Sequence, residues 1–215
     1  MTATIALPAG RMRKLATRRA RIQDEVTADY LALVVRPGDR TVQIGASDLG
    51  AVCLQRGAQH EIVAPIPAIE ALQSACERRE IPTHALRGGL AAQAGKTARP
   101  IDVAIFGPET GFPAMAANWR HVSSSMREGG VLILLGADHG SAARLADALM
   151  MDDAWVLQER VCGDAAIFRK ARAVDARRTM DLLAAAGRPD RKPRGVPRSF
   201  LGRLVAGVMP RRRTA

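Results

Sequence analysis

At 215 residues and 47 % apolar content, the chain is long enough to bury one substantial core and too hydrophobic to be a largely disordered polymer. Only 3 % of its residues are aromatic, so that core must be built mainly from Ala, Leu, Val and Ile. No apolar run approaches the roughly 20 residues that span a bilayer. The opening M-T-A-T-I-A-L-P-A-G-R-M-R-K lacks the charged-then-apolar order of a secretory signal, and resembles an Arg-rich, acid-free transit peptide only loosely.

The formal charge of +11 is concentrated at the ends. Residues 1–22 carry six Lys and Arg and no acid, and residues 188–215 carry nine against Asp190 alone, which leaves about −3 between them. Ends of this kind seek a polyanion or an anionic membrane surface, or serve as solubilising extensions. Three cysteines (Cys53, Cys76, Cys162) are an odd number without metal-ligand spacing, which favours reduced, buried thiols in a cytosolic protein.

In chain order, Ile22, Val26 and Tyr30 fall four apart and predict an N-terminal helix ending before Pro37. A Pro-Gly turn then launches a strand at Thr41 to Ile44, a loop opened by Gly45 and closed by Gly50, and a helix near Leu49 to Gln55. Strand, glycine loop and helix bring backbone N–H groups up to a nucleotide-like ligand. Glu61 to Ala64 reads as a second strand. Pro67 suits the first turn of a helix whose stripe is Ile69, Leu72 and Cys76. Thr83 to Leu86 reads as a third strand and residues 88–100 as a loop.

Ile101 to Phe106 is a buried strand ending in Gly107-Pro108. Phe112, Met115, Trp119, Val122 and Met126 share one helical face, Gly129-Gly130 reads as its stop, and Val131 to Leu135 is fully apolar. Ser141 is positioned to cap the next helix, with Leu145 and Leu149 inward. Trp155 to Val161 and Ala165 to Arg169 pair as an antiparallel hairpin turning at Cys162 to Asp164. The alternation predicts an α/β domain, its sheet mostly parallel with one antiparallel strand at its end. Ligands of such sheets bind beyond the strands' carboxyl ends, here residues 45–50, 64–67, 107–112 and 136–140.

Four segments carry a resemblance: P-G-D-R-T-V-Q-I-G at 37–45, I-D-V-A-I-F-G-P at 101–108, M-R-E-G-G-V-L-I-L-L at 126–135 and W-V-L-Q-E-R-V-C-G-D-A-A-I-F-R-K at 155–170. Over about residues 20–172 the chain resembles the class I S-adenosylmethionine-dependent methyltransferases. This implies a Rossmann-like, mostly parallel sheet flanked by helices with a C-terminal antiparallel hairpin. It also implies S-adenosylmethionine held against Gln43, Gly45, Ala46, Ser47, Asp48, Gly50, Ile66 and Gly107. The family's working positions are altered, however. Its first-strand acid is Gln43, and the acid that takes the cofactor's ribose falls in Ala64 to Pro67, nearest Ile66, where no carboxylate stands. Ribose hydroxyls buried there unpaired would cost about 1–3 kcal/mol each. Glu61 and Glu70 are too far along to substitute. A branch with D-G-x-H after strand four is answered by Gly107, Pro108, Glu109 and Thr110; its paired Asp after strand five, by Gly136 and Ala137, followed by Asp138 and His139.

Asp138 and His139 are the candidate catalytic pair, serving as general base, binding a metal, or standing as a solvated loop pair that caps the next helix. Glu109 is the acid nearest to a replacement for the missing one after strand four, or a plain loop residue. His60, His84 and His121 lack ligand spacing, so no metal is expected. Trp119 reads as core, and Trp155 as packed on the sheet edge. Two functions stay open: a non-catalytic or remodelled subunit or scaffold that binds S-adenosylmethionine weakly or not at all, and a methyltransferase acting on a small or glycan-type acceptor. RNA association is a third. The predicted organisation is a basic extension over 1–19, the domain over 20–172, a helix over 173–187 and a Pro/Arg-rich tail over 188–215. In that tail Phe200, Leu201, Leu204, Val205 and Val208 would share a helical face suited to an anionic membrane or a groove on a protein partner, and RNA is less favoured. The expected location is the cytoplasm, with peripheral attachment to the membrane through the tail.

Overall fold

The computed structural model describes residues 25–88, 99–107, 111–161 and 165–187. Helix α1 covers residues 25–34. It is followed by β1 (Arg40–Ile44), α2 (Leu49–Gln55), β2 (Gln59–Val63), α3 (Ile66–Glu77), β3 (Leu86–Gly88) and β4 (Ile101–Phe106). The second half adds α4 (Phe112–Ser125), β5 (Met126–Leu135), α5 (Gly140–Met150), β6 (Trp155–Val161), β7 (Ala165–Lys170) and α6 (Ala176–Ala186).

The strands form one sheet in the order β3-β2-β1-β4-β5-β7-β6, parallel throughout except for β7. β1 and β4 pair Thr41 with Val103 and Ile44 with Phe106, and β5 pairs Leu135 with Ala165 of β7. The antiparallel strand is therefore not at the end of the sheet, as expected, but one place in from it. β7 is the more apolar of the hairpin strands, with Ala165, Ala166, Ile167 and Phe168 all buried, and so takes the interior. β6, with Val156 47 % exposed, is left as the edge.

Alternation along the strands sends two sets of side chains to opposite faces. Val42, Ile44, Ala104, Phe106, Leu132 and Leu134 meet α4, α5 and α6 through Met115, Trp119, Val122, Leu145, Leu149 and Leu183. Val103, Ile105, Val131, Ile133 and Ile167 meet α1 and α2 through Leu31, Val35, Leu49 and Cys53. Ile62 packs with Leu54 of α2 and with Leu72 and Cys76 of α3. The last helix thus belongs to the same core as the sheet, through Leu183 and Ala186.

Several boundaries move. The buried stripe of α1 is Thr27 and Leu31, continued by Val35, while Val26 is 39 % exposed; Ile22 lies outside the described residues. β3 starts later than expected because Thr83 closes a turn, its carbonyl accepting from Leu86 N at 2.9 Å. Gly129-Gly130 does not stop a helix. β5 begins at Met126, and its register against β4 shifts between Ile101 and Val103. Gly129 has φ +74°, and a side chain on Gly130 would lie 2.9 Å from the Arg127 carbonyl, so both glycines serve an irregular strand opening. Helix α5 starts at Gly140 with His139 in the N-cap position and no side-chain cap, so Ser141 lies inside it.

Polar contacts lock the amino-end face of the sheet. Arg40 pairs with Glu61 at 3.1 Å and donates to the Arg99 carbonyl at 2.7 Å, while Asp102 accepts from Arg40 N at 2.8 Å. Lys170 of β7, 5 % exposed, donates to the Ser123 and Met126 carbonyls at 3.0 and 2.6 Å, which satisfies the end of α4 with a buried cation.

Candidate functional site

The carboxyl ends of β1, β2, β4 and β5 bring residues 45–50, 64–67, 107 and 136–140 to one end of the sheet. The glycine loop there is held by its own chain. Gly45 N donates to the Val63 carbonyl at 2.9 Å, and Gly107 N to that of Ile44 at 2.8 Å. Gly45 has φ +87°, and a Cβ on it would stand 3.6 Å from Gly107 Cα. A Cβ on Gly107 would be 3.3 Å from the Ile44 carbonyl oxygen. Two strand ends meet backbone to backbone, and glycine at both positions permits it.

Gln43 is fully buried beneath this loop. Its Nε2 donates to the carbonyls of Gly45 at 3.0 Å and Ser47 at 2.9 Å, and its Oε1 has no partner. Ser47 Oγ accepts from Leu49 N at 3.2 Å. Asp48 is exposed in the N-cap position of α2 without a side-chain capping bond. Gly50 is pressed against His60, because a Cβ there would be 2.5 Å from His60 Nε2 and 3.0 Å from Gln43 Oε1. The His60 imidazole, 1 % exposed, shares a 2.8 Å hydrogen bond between Nδ1 and Thr41 Oγ1, and Nε2 has no partner. Burial pushes its pKa down to about 4, so the ring is neutral. Burial likewise pushes the Cys53 thiol up to about 12, leaving it inert.

The far side of the cradle is different. β2 ends at Val63, Ala64 and Pro65 follow, and Ile66 opens α3 with 70 % of its surface exposed. No carboxylate stands from Val63 to Pro67. Glu61 is committed to Arg40. Glu70 lies further along the exposed side of α3. Asp138 and His139 stand adjacent and exposed after β5, with His139 N donating to the Gly136 carbonyl at 3.2 Å. Such a pair can exchange a proton with a group bound at the mouth. Among the described residues no cluster of His, Cys, Asp or Glu could hold a metal ion, and no helix is long and apolar enough to cross a membrane.

The fold therefore gathers Gln43, Gly45, Ala46, Ser47, Asp48, Gly50, Ile66, Gly107, Asp138 and His139 at one end of the sheet. Glu109, Cys162 and the tail lie outside the described residues. The spacing of His60 in the sequence carries no ligand signal, yet the structure places it under the loop. Its position on β2 opposite Thr41 is set by strand register, which only the paired sheet reveals.

No family model and no curated protein matches the chain. Solved structures do. A Clostridium thermocellum protein assigned as an rRNA methylase superposes with a TM-score of 0.57 at 13 % identity, over 70 % of this chain and 96 % of that one. An rRNA methylase from Streptococcus thermophilus gives 0.52 at 15 % identity, over 68 % and 95 %. An O-methyltransferase from Bacillus cereus, determined in complex with SAH, gives 0.50 at 13 % identity, over 79 % and 94 %. The chain has the class I methyltransferase fold.

Proposed function

We propose that this is a remodelled member of the methyltransferase fold that acts as a subunit or scaffold and does not use S-adenosylmethionine for catalysis. The observation that carries this is the carboxylate-free edge at 64–67, with Ile66 70 % exposed. The loop half of the cleft fits a cofactor's close approach to backbone, through Gly45 and Gly107. The ribose half does not fit, because an isoleucine side chain accepts no hydrogen bond. Gln43 preserves the loop's shape by tying two of its carbonyls down from beneath, so the cradle persists without the charge of an acid.

The preserved glycine contacts and the Asp138–His139 pair favour a second reading, transfer of a methyl group to a small or glycan-type acceptor. The rRNA methylases among the similar folds, together with the basic ends of this chain, support RNA as a third acceptor class. Calorimetry of the full protein with S-adenosylmethionine and S-adenosylhomocysteine separates the scaffold reading from the two methyltransferase readings. No micromolar binding is expected. Micromolar binding that Gly45→Asp or the milder Asp48→Ala abolishes would overturn the scaffold reading.

A further inference from the structure

We propose that His60 is a positioning residue for the glycine loop: it carries its proton on Nε2, turns that N–H toward Gln43 Oε1, and through the Gln43 amide fixes which edge of residues 45–48 faces the cleft. The orientation of that amide is decided by its surroundings. Gln43 Nε2 donates to the carbonyls of both Gly45 and Ser47, which only the NH2 end of the side chain can do. Oε1 is therefore an acceptor, fully buried and without a partner. His60 Nε2 is buried and without a partner as well. A Cβ on Gly50 would lie 3.0 Å from Gln43 Oε1 and 2.5 Å from His60 Nε2. Both orphaned atoms thus face the same point, and Gly50 puts no side chain between them.

Two tautomers of the neutral ring are available. With the proton on Nδ1, the bare Nε2 lone pair would face the lone pairs of Oε1 away from water, which is repulsive and leaves both atoms unsatisfied. With the proton on Nε2, a donor faces an acceptor. Thr41 Oγ1 then donates to Nδ1 at 2.8 Å in preference to the Gln59 carbonyl at 3.3 Å, and both ring nitrogens are used. The consequence appears in the loop above. A planar trans peptide directs its N–H opposite to its C=O. Tying the Gly45 and Ser47 carbonyls down onto Gln43 therefore turns the N–H groups of Ala46 and Asp48 outward, where residues 46–48 form the solvent-facing part of the loop over a buried floor. A molecule entering the cleft meets donors there, and the imidazole beneath sets them. This holds whether or not that molecule is S-adenosylmethionine.

NMR on the full-length protein labelled at histidine nitrogen reads the tautomer directly at neutral pH. Nε2 is expected as the protonated nitrogen of His60 and Nδ1 as the bare one; the reverse would overturn the proposal. Exchange of the Gln43 side-chain amide protons reads the positioning. His60→Gln supplies an amide N–H near the place of the ring Nε2 and should keep the wild-type rate. His60→Leu fills the site without a donor and should speed exchange at least about tenfold. Lys170→Met, which removes a buried donor elsewhere in the sheet, should leave it unchanged and so separates positioning from a general loss of stability. Unaltered exchange in His60→Leu, or equal acceleration by His60→Gln or Lys170→Met, would overturn the proposal. If His60→Leu does not fold, the tautomer of the wild-type ring decides.

Discussion

Protonating His60 should destabilise the fold, and the size of the effect follows from its burial. The ring is 1 % exposed, and its pKa falls to about 4 from an ordinary 6.5. A depressed folded-state value means that the native protein binds fewer protons than the unfolded chain between these two pH values. The contribution to stability is complete above about pH 6.5 and declines as pH falls, levelling off below about pH 4. A gap of about 2.5 units at about 1.36 kcal/mol each gives ~3 kcal/mol, a substantial part of a typical domain's 5–15 kcal/mol. Urea denaturation at steps from pH 7.5 to 4, on wild type and His60→Gln, isolates this from the carboxylates, which titrate in both proteins. The stability difference between the two should change by ~3 kcal/mol in favour of the variant as pH falls. Parallel curves, or an imidazole titrating near 6.5 by NMR in the folded protein, would refute the reasoning.

Gly50→Ala should cost about 1–3 kcal/mol in denaturant unfolding, because its methyl would meet His60 Nε2 at 2.5 Å and Leu72 Cδ2 at 2.9 Å. A neutral result would mean that α2 shifts freely over β2. Lys170→Met keeps most of the apolar stem of the side chain but leaves the Ser123 and Met126 carbonyls without their buried donor. A loss of about 1–3 kcal/mol is expected, with faster amide exchange confined to the last turn of α4; unchanged exchange there would show that the cation is incidental.

Long apolar strands and the three-four spacing of Phe112, Met115, Trp119 and Val122 made β4, the apolar part of β5 and α4 legible from sequence, because burial on both faces leaves little ambiguity. The glycine loop was legible too, since Gly45 holds a positive φ that favours glycine and Gly107 stands close to the Ile44 carbonyl. Boundaries set by a partner strand were not. The bulge at Gly129-Gly130 resembles a helix stop until β4 is placed beside it, and the depth of β7 depends on how two hairpin strands divide the sheet between them. The role of Gln43 also escaped the sequence. Read in isolation it is an acid's replacement, whereas its amide in place is a brace under two carbonyls.

The aromatic packing on the α4 side of the sheet decides what intrinsic fluorescence can see. The chain has two tryptophans, Trp119 and Trp155, both buried with ring centroids 4.8 Å apart, and Phe106 meets Trp119 edge-on at 5.8 Å. Indoles this close are expected to couple, so near-ultraviolet circular dichroism should be strong in the folded protein and fall when α4 and β6 separate. They report on that one layer. The glycine loop, Ile66 and α1 to α3 carry no tryptophan, so a ligand entering the cleft without disturbing α4 would leave emission unchanged, and a silent titration would say nothing about occupancy.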